Sequence, residues 1–181
     1  MTPAEARRVL AEAEMIYPAA EVAGAIDRLA TAITTRLADA NPLVLTVMGG
    51  GIVFAGQLLP KLGFPLEADY LHVTRYGRGT AGGELTWVVE PRASVAGRVV
   101  LVLDDILDEG ITLAAIKARL MAQGVGECLV AVLTEKELGR EKPIRPDFVG
   151  LRLPNRYVFG CGMDVNGAWR NLPAIYALKG L

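Results

Sequence analysis

Cysteine, histidine and net charge are all scarce in this sequence. Two cysteines, Cys128 and Cys161, stand far apart in 181 residues. That excludes a disulfide framework and a C-x-x-C metal or redox motif, and it fits a reducing, cytoplasmic setting. Lysine and arginine total 19 against 20 acidic residues, so no net field draws the chain to nucleic acid or to an anionic membrane, and neither is expected as a partner. Any anion must be held by local groups. No apolar run is long enough to span a bilayer: residues 40–60 carry no charge, but a glycine triplet, Gln57, Pro42 and Pro60 interrupt them. The charged N-terminus has no apolar h-region, so no secretory signal is expected. His72 is the only histidine; it falls on a predicted strand and reads as structural, as Trp87 and Trp169 read as packing residues. The length suits a single domain, residues 1–181, with one core.

What is present is strongly periodic. Thr2, Pro3 and Glu5 have the spacing of an N-cap, an N1 proline and a capping box, so a helix is expected from the start. Val22, Ile26, Leu29, Ile33 and Leu37 recur every three or four residues and predict an amphipathic helix over 20–39. Then "PLVLTVM" (42–48) reads as a buried strand, "IVFAGQLLPKL" as a helix and "LEADYLHV" (66–73) as a strand. The same order returns in "GRVVLVL" (97–103), "ITLAAIKARLMAQ" (111–123) and "ECLVAVLT" (127–134). Two strand–helix–strand units with nearly continuous apolar strands predict an α/β fold with a parallel sheet buried on both faces. A glycine-rich stretch, "RYGRGTAGGELTWVVE", separates the units, with a strand expected at 84–90. The last third is expected to cap the sheet instead of extending it regularly.

The densest chemistry lies in "VVLVLDDILDEGIT", residues 99–112. Asp104, Asp105 and Asp108 have the spacing of a D-D-x-x-D metal cluster, which requires a helix. Five consecutive apolar residues, Val99 to Leu103, precede them without a helical gap, so the segment is a strand with the aspartates at its carboxyl end. Ligands bind at that end of open parallel sheets. Asp108 to Thr112 then form a turn into a helix whose unpartnered N–H groups suit a phosphate, with Gly110 allowing close approach and Thr112 offering a hydroxyl.

Four apolar residues, two acidic, two apolar and then D-x-G-x-T resemble the phosphoribosyl diphosphate (PRPP) signature of type I phosphoribosyltransferases. "YVFGCGMDVNGAWRNLP" (157–173) resembles the C-terminal segment of the hypoxanthine-guanine phosphoribosyltransferases. "RYG" (75–77) resembles the start of their mobile catalytic loop and "MGGG" (48–51) their pyrophosphate loop. The resemblance implies a central parallel sheet flanked by helices, a small hood formed by the N- and C-terminal segments, and a mobile lid beginning at Arg75, Tyr76 and Gly77. It also implies transfer of ribose 5-phosphate from PRPP to hypoxanthine or guanine, releasing pyrophosphate with Mg2+ as cofactor, in a homodimer or homotetramer.

Carried over residue by residue, Asp104 and Asp105 would hold ribose hydroxyls and help organise the metal, which Asp164 would also reach. Asp108, Glu109, Gly110, Ile111 and Thr112 would receive the 5-phosphate. Gly49, Gly50, Gly51 and Arg170 would bind pyrophosphate. Lys136 would donate to the purine 6-oxo group, Tyr157 would stack on the base and the Val158 carbonyl would meet its 2-position edge. Asp108 would take the N7 proton. Gly49 stands where many relatives carry lysine or arginine, and Glu109 replaces the usual hydroxyl residue, so its side chain is expected to point away from phosphate. Two other functions stay open on the resemblance: a PRPP-sensing regulator of a partner such as RNA, and an enzyme of the same fold acting on xanthine or a pyrimidine. The neutral charge balance disfavours the regulator, and Lys136 with Tyr157 disfavours a pyrimidine.

Overall fold

Thr2 opens the first helix, α1 (Pro3–Glu12), with a reciprocal capping box. Its hydroxyl accepts from the Glu5 N–H at 3.3 Å, and the Glu5 carboxylate accepts from the Thr2 N–H at 2.7 Å. The apolar stripe expected from Val22 to Leu37 becomes α2 (Ala19–Leu37), whose Val22, Ile26, Leu29, Ile33 and Leu37 are buried. This computed structural model describes residues 1–75 and 85–180.

The main sheet has six strands. In chain order they are β2 (Leu43–Met48), β3 (Glu67–Arg75), β4 (Leu85–Val89), β5 (Val99–Leu107), β6 (Glu127–Lys136) and β7 (Phe148–Leu153), β1 lying elsewhere. Their spatial order is β4-β3-β2-β5-β6-β7, parallel throughout except for β4, which runs antiparallel along the edge of β3. Helix α3 (Gly51–Leu58), prolonged by a 3-10 turn at Leu59–Lys61, joins β2 to β3, and α4 (Ile111–Ala122) joins β5 to β6. Side chains alternate across β5: Leu101 and Leu103 join the core under α2 and α3, while Val100 and Val102 join the core under α4. That double burial explains why the central strands read as unbroken apolar runs.

Two expectations are corrected. First, β5 does not end before the aspartates: Asp104 pairs with Val132, Ile106 with Thr134 and Leu107 with Glu135, so the acidic pair lies within the strand. The apolar Ile106 and Leu107 carry the ladder on to the end of the strand at Leu107. Likewise β6 runs through Lys136 and not only to Thr134. Second, the last third does extend the sheet. β7 pairs in parallel with β6. Gly150 permits this, because a Cβ there would sit 2.6 Å from the Leu133 carbonyl oxygen and 3.0 Å from Leu29 of α2. Apart from the main sheet, β1 (Glu14–Tyr17) forms a separate antiparallel sheet with β9 (Ile175–Ala177) and β8 (Val158–Phe159), in the order β1-β9-β8. This small sheet brings residues near the two ends of the chain together. The Tyr17 hydroxyl donates to the Arg152 carbonyl at 2.7 Å, and the Trp169 indole donates to the Ala6 carbonyl at 2.8 Å.

Arg75 ends β3; Tyr76 and Gly77, the other two residues of the expected lid, lie outside the described residues. Among the described residues no helix is long and apolar enough to cross a membrane.

Candidate active site

The carboxyl ends of β2, β5 and β6 meet the turns that leave them, and most of the expected site residues gather there. Asp105 is buried at 7% exposure; its N–H donates to Asp104 Oδ1 at 3.0 Å, and its carbonyl accepts from the buried Thr134 hydroxyl at 2.8 Å. Burial and the neighbouring Asp105 charge push the Asp104 carboxyl well above its usual range. Burial also raises Asp105, opposed by its hydrogen bond with Asp104 and by the positive charge of Arg170. Two adjacent carboxylates in little water resist ionising together.

The Asp105 carboxylate fills the space where Gly50 has no side chain: a Cβ there would lie 1.8 Å from Oδ2. Gly162 closes the same contact from the opposite side. Its φ is +105°, and a Cβ would lie 2.3 Å from the Gly50 carbonyl oxygen and 3.1 Å from Asp105 Cβ. Three backbones thus meet around one carboxylate. Sequence reasoning missed Gly162; the signal available was the pair of glycines flanking Cys161. The Met48–Gly49 peptide bond is cis.

Beyond β5, Asp108 and Glu109 lead into Gly110, which adopts the left-handed conformation (φ +83°) immediately before α4. The turn lines a cleft of about 380 Å³ with Asp104, Ile111 and Thr112. Asp108 Oδ2 lies 2.6 Å from Lys136 Nζ, whose side chain is only 11% exposed. Lys136 is therefore not one more solvated charge of "EKELGREK" but a nearly buried cation against a carboxylate. Glu109 points to Arg140 at 2.9 Å, both half-exposed or more. Ile111 is exposed.

A second cleft, of about 320 Å³, adjoins the first and is lined by Gly50, Asp105, Asp108, Lys136, Tyr157, Val158, Asp164 and Arg170. The Tyr157 ring is 45% exposed on its wall, and its hydroxyl donates to the Asp164 carbonyl at 3.2 Å. Arg170 donates to the Gly162 carbonyl at 2.7 Å and pairs with Asp164 Oδ1 at 2.5 Å. The loop holding them is tightly specified, with Cys161, Asn166 and Trp169 all at positive φ. Such non-glycine residues persist only where surroundings over-determine them, often at functional sites.

The three carboxylates expected at a metal do not converge. Among the described residues no three acidic, histidine or cysteine groups come together to hold an ion. Asp164 spends its carboxylate on Arg170 and on the Gly167 N–H at 2.7 Å. Asp104 and Asp105 remain adjacent.

An acidic pair near the end of a parallel strand, a glycine turn opening the next helix and a second glycine turn beside it are the arrangement that the resemblance to the type I phosphoribosyltransferases implies. Residues 12–166 match the family described as the phosphoribosyl transferase domain. The chain is 35% identical over 148 residues to the hypoxanthine-guanine phosphoribosyltransferase of Lactococcus lactis subsp. lactis, covering 81% of this chain and 80% of that one. It belongs to the hypoxanthine-guanine phosphoribosyltransferase family. It is also 37% identical over 155 residues to the bifunctional protein TilS/HprT of Listeria monocytogenes, covering 85% of this chain but 24% of that protein; the chain spans about a quarter of that relative's length. The fold is similar to a hypoxanthine phosphoribosyltransferase from Staphylococcus aureus, with a TM-score of 0.86 at 26% identity over 92% of this chain and 91% of that one.

Proposed function

We propose that the chain transfers the ribose 5-phosphate group of PRPP to hypoxanthine or guanine, giving the nucleoside 5′-monophosphate and pyrophosphate, and that it acts as one unit over its length. The observation that carries this is the pair of Lys136 and Asp108, 2.6 Å apart in the cleft beside Tyr157. A 6-oxopurine presents an acceptor, its 6-oxo oxygen, next to a donor, its N7–H. Lysine can only donate and an ionised carboxylate can only accept, so the two groups match that edge. Adenine offers an amino donor where the lysine also donates, and is rejected.

The transition state resembles an oxocarbenium ion, so positioned charge does the work and no covalent nucleophile is needed. Asp108 takes the N7 proton as the bond forms at N9. The backbone of Asp108 to Thr112, at the N-terminus of α4, holds the 5-phosphate. Gly49, Gly50 and Gly51 with Arg170 hold pyrophosphate, Tyr157 stacks on the base and the Val158 carbonyl meets its 2-position edge.

Magnesium suits the donor set. Mg2+ is commonly bound by one or two carboxylates and completed by water and substrate phosphate oxygens. Asp104 and Asp105 supply such a pair, crowded together with their carboxyls raised. Asp164 stands at the same cleft. The ion, when bound, neutralises charge on the departing pyrophosphate.

The test is pyrophosphate release from PRPP with hypoxanthine, guanine, xanthine and adenine in turn, with and without Mg2+. Release with hypoxanthine or guanine and none with adenine is expected. Release that needs no base, or that adenine supports best, would overturn the reading. Light scattering on the purified chain is expected to give a dimer or tetramer.

A further inference from the structure

Lys142 belongs to the charged run "EKELGREK", where composition suggests a solvated surface. Its side chain is 8% exposed. The ammonium makes three contacts: the Leu107 carbonyl at 3.1 Å, the Lys136 carbonyl at 2.5 Å and Glu135 Oε1 at 3.3 Å. An ammonium has three donors, and each finds an oxygen. Leu107 is the last residue of β5 and Lys136 the last of β6. One cation therefore ties together the tips of the two strands that present Asp108 and Lys136.

The neighbours of Lys142 act on the same turn from its other side. The atoms nearest to where Gly110 lacks a Cβ are Ile144 Cγ2 at 3.2 Å and Pro143 Cδ at 3.4 Å. Residues 142–144 thus grip the phosphate turn at Gly110 and the strand tips beneath it. Glu135, only 14% exposed, balances the buried charge and passes its other oxygen to Arg152 at 2.8 Å.

We infer that Lys142 is a positioning residue for the 6-oxopurine edge: it fixes the carbonyls of Leu107 and Lys136, and through them the separation of Asp108 from Lys136. This rests on the proposed function above. Without the ammonium, two inward carbonyls lose a charged donor and the tips of β5 and β6 are free to spread. A shift of about 1 Å between two groups that must address one purine edge is costly, on the order of 10²-fold in rate. PRPP meets the backbone of the turn and the acidic pair; the Lys142 ammonium bonds to neither, since Pro143 and Ile144 are the residues that touch Gly110, so PRPP binding changes less.

The experiment compares Lys142→Met with the double variant Glu135→Gln/Lys142→Met, in which the companion charge is neutralised too. Both are measured for Tm, for KM and kcat with hypoxanthine and PRPP, and for amide hydrogen exchange. Lys142→Met is expected to lower Tm, to raise KM for hypoxanthine about tenfold or more, to lower kcat, and to leave KM for PRPP within about threefold. Exchange is expected to quicken at residues 134–137 and not in β2 or α2. The double variant should regain Tm yet keep the kinetic defect and the faster exchange. Recovery of hypoxanthine KM and kcat together with Tm would reduce Lys142 to a partner for Glu135 and overturn the inference. So would unchanged exchange at residues 134–137 in either variant, a result that needs no activity at all. A wild-type chain that releases no pyrophosphate with any 6-oxopurine would sink the proposed function instead, while faster local exchange in the variants would still mark Lys142 as the clamp of the two strands.

Discussion

Two turns stand side by side at the carboxyl edge of the sheet, and they are built from opposite materials. The turn from β2 into α3 is Gly49 and Gly50 ahead of a helix that begins at Gly51; the turn from β5 into α4 is Asp108, Glu109 and Gly110. In the first, missing side chains are the feature, and the carboxylate of Asp105 moves into the room Gly50 leaves. In the second, the side chains themselves carry charge, to Lys136 from Asp108 and to Arg140 from Glu109. The first turn offers a ligand only its backbone, which carries no group that titrates. The second adds a carboxylate, which in the proposed function both binds and moves a proton. The contrast teaches where the chemistry of this fold must lie, and it can be broken at either turn.

The largest effect is expected at Asp108. Asn keeps an acceptor for Lys136 and nearly the same shape but cannot take a proton. Asp108→Asn should lose on the order of 10² to 10⁴ in turnover with hypoxanthine, while PRPP affinity stays within a few-fold. Turnover and PRPP binding are measured on the same preparation. Near-normal turnover would make the acidic turn a mere cap and erase its difference from the glycine turn.

The next effect tests the glycine turn. Gly50→Ala places a methyl where Asp105 Oδ2 now lies, so the carboxylate or the backbone must move. A loss of about 1–3 kcal/mol in stability is expected, with activity falling at least tenfold because Asp105 leaves its place. Gly49→Ala is the control: nothing lies within 4 Å of its added carbon, and stability should change by less than about 0.5 kcal/mol. Equal melting temperatures for the two variants would show that the room at Gly50 is not what holds Asp105.

A third expectation concerns the acidic pair between the turns. Burial raises the Asp104 carboxyl well above its usual range, so the folded chain keeps a proton that the unfolded chain, titrating near about 4, has already released. The folded state then binds more protons, and stability falls as pH rises from about 4 through the raised folded value. Asp104→Asn removes that slope. Its side chain can still accept from the Asp105 N–H and can donate to the Asp105 carboxylate. In EDTA the variant should match wild type near pH 4 and melt a few degrees higher near neutrality, while losing activity. This is the usual trade between stability and function. A Tm difference between variant and wild type that does not widen between those pH values would contradict it.

Much of this arrangement was legible in the sequence, and the failures share a cause. The stripe from Val22 to Leu37 and the runs in β2 and α4 announced themselves because their periodicity is local. The PRPP turn was legible because its residue types are spaced along one segment. β1, β8 and β9 are two to four residues long, too short to carry a period, and β1 finds its partner β9 across most of the chain, so no local pattern marks them. β7 escaped because its fit depends on Gly150 facing Leu133 and Leu29, a contact only the fold creates. The apolar runs stop short of the strand ends because charge does not end a strand here: Asp104 and Lys136 continue their ladders. Lys142 was hidden for the complementary reason: in a charged run, composition cannot tell the one lysine that turns inward from those that stay in water.

The smallest effect belongs to Glu109, and it sharpens the comparison most finely. A carboxylate about 4 Å from a bound phosphate would cost about 4 kcal/mol at an effective dielectric of 20, which would cripple a PRPP site. The structure turns Glu109 to Arg140 instead, at 2.9 Å, with side chains 50% and 66% exposed. A pair so open is worth about 0–1 kcal/mol, so its removal should tune PRPP binding without deciding it. Glu109→Thr should lower KM for PRPP about two- to fivefold. Arg140→Ala, which leaves the carboxylate unbalanced beside the phosphate, should raise it by a similar factor. The double variant should fall close to Glu109→Thr alone, because Arg140 acts only by neutralising Glu109. Both single effects should fade on the order of 1 M salt, where the screening length falls to about 3 Å. If Arg140→Ala alone leaves KM for PRPP unchanged at low salt, phosphate does not feel Glu109. The acidic turn then acts through Asp108 and its backbone only, and below that one residue it is as silent as the glycine turn beside it.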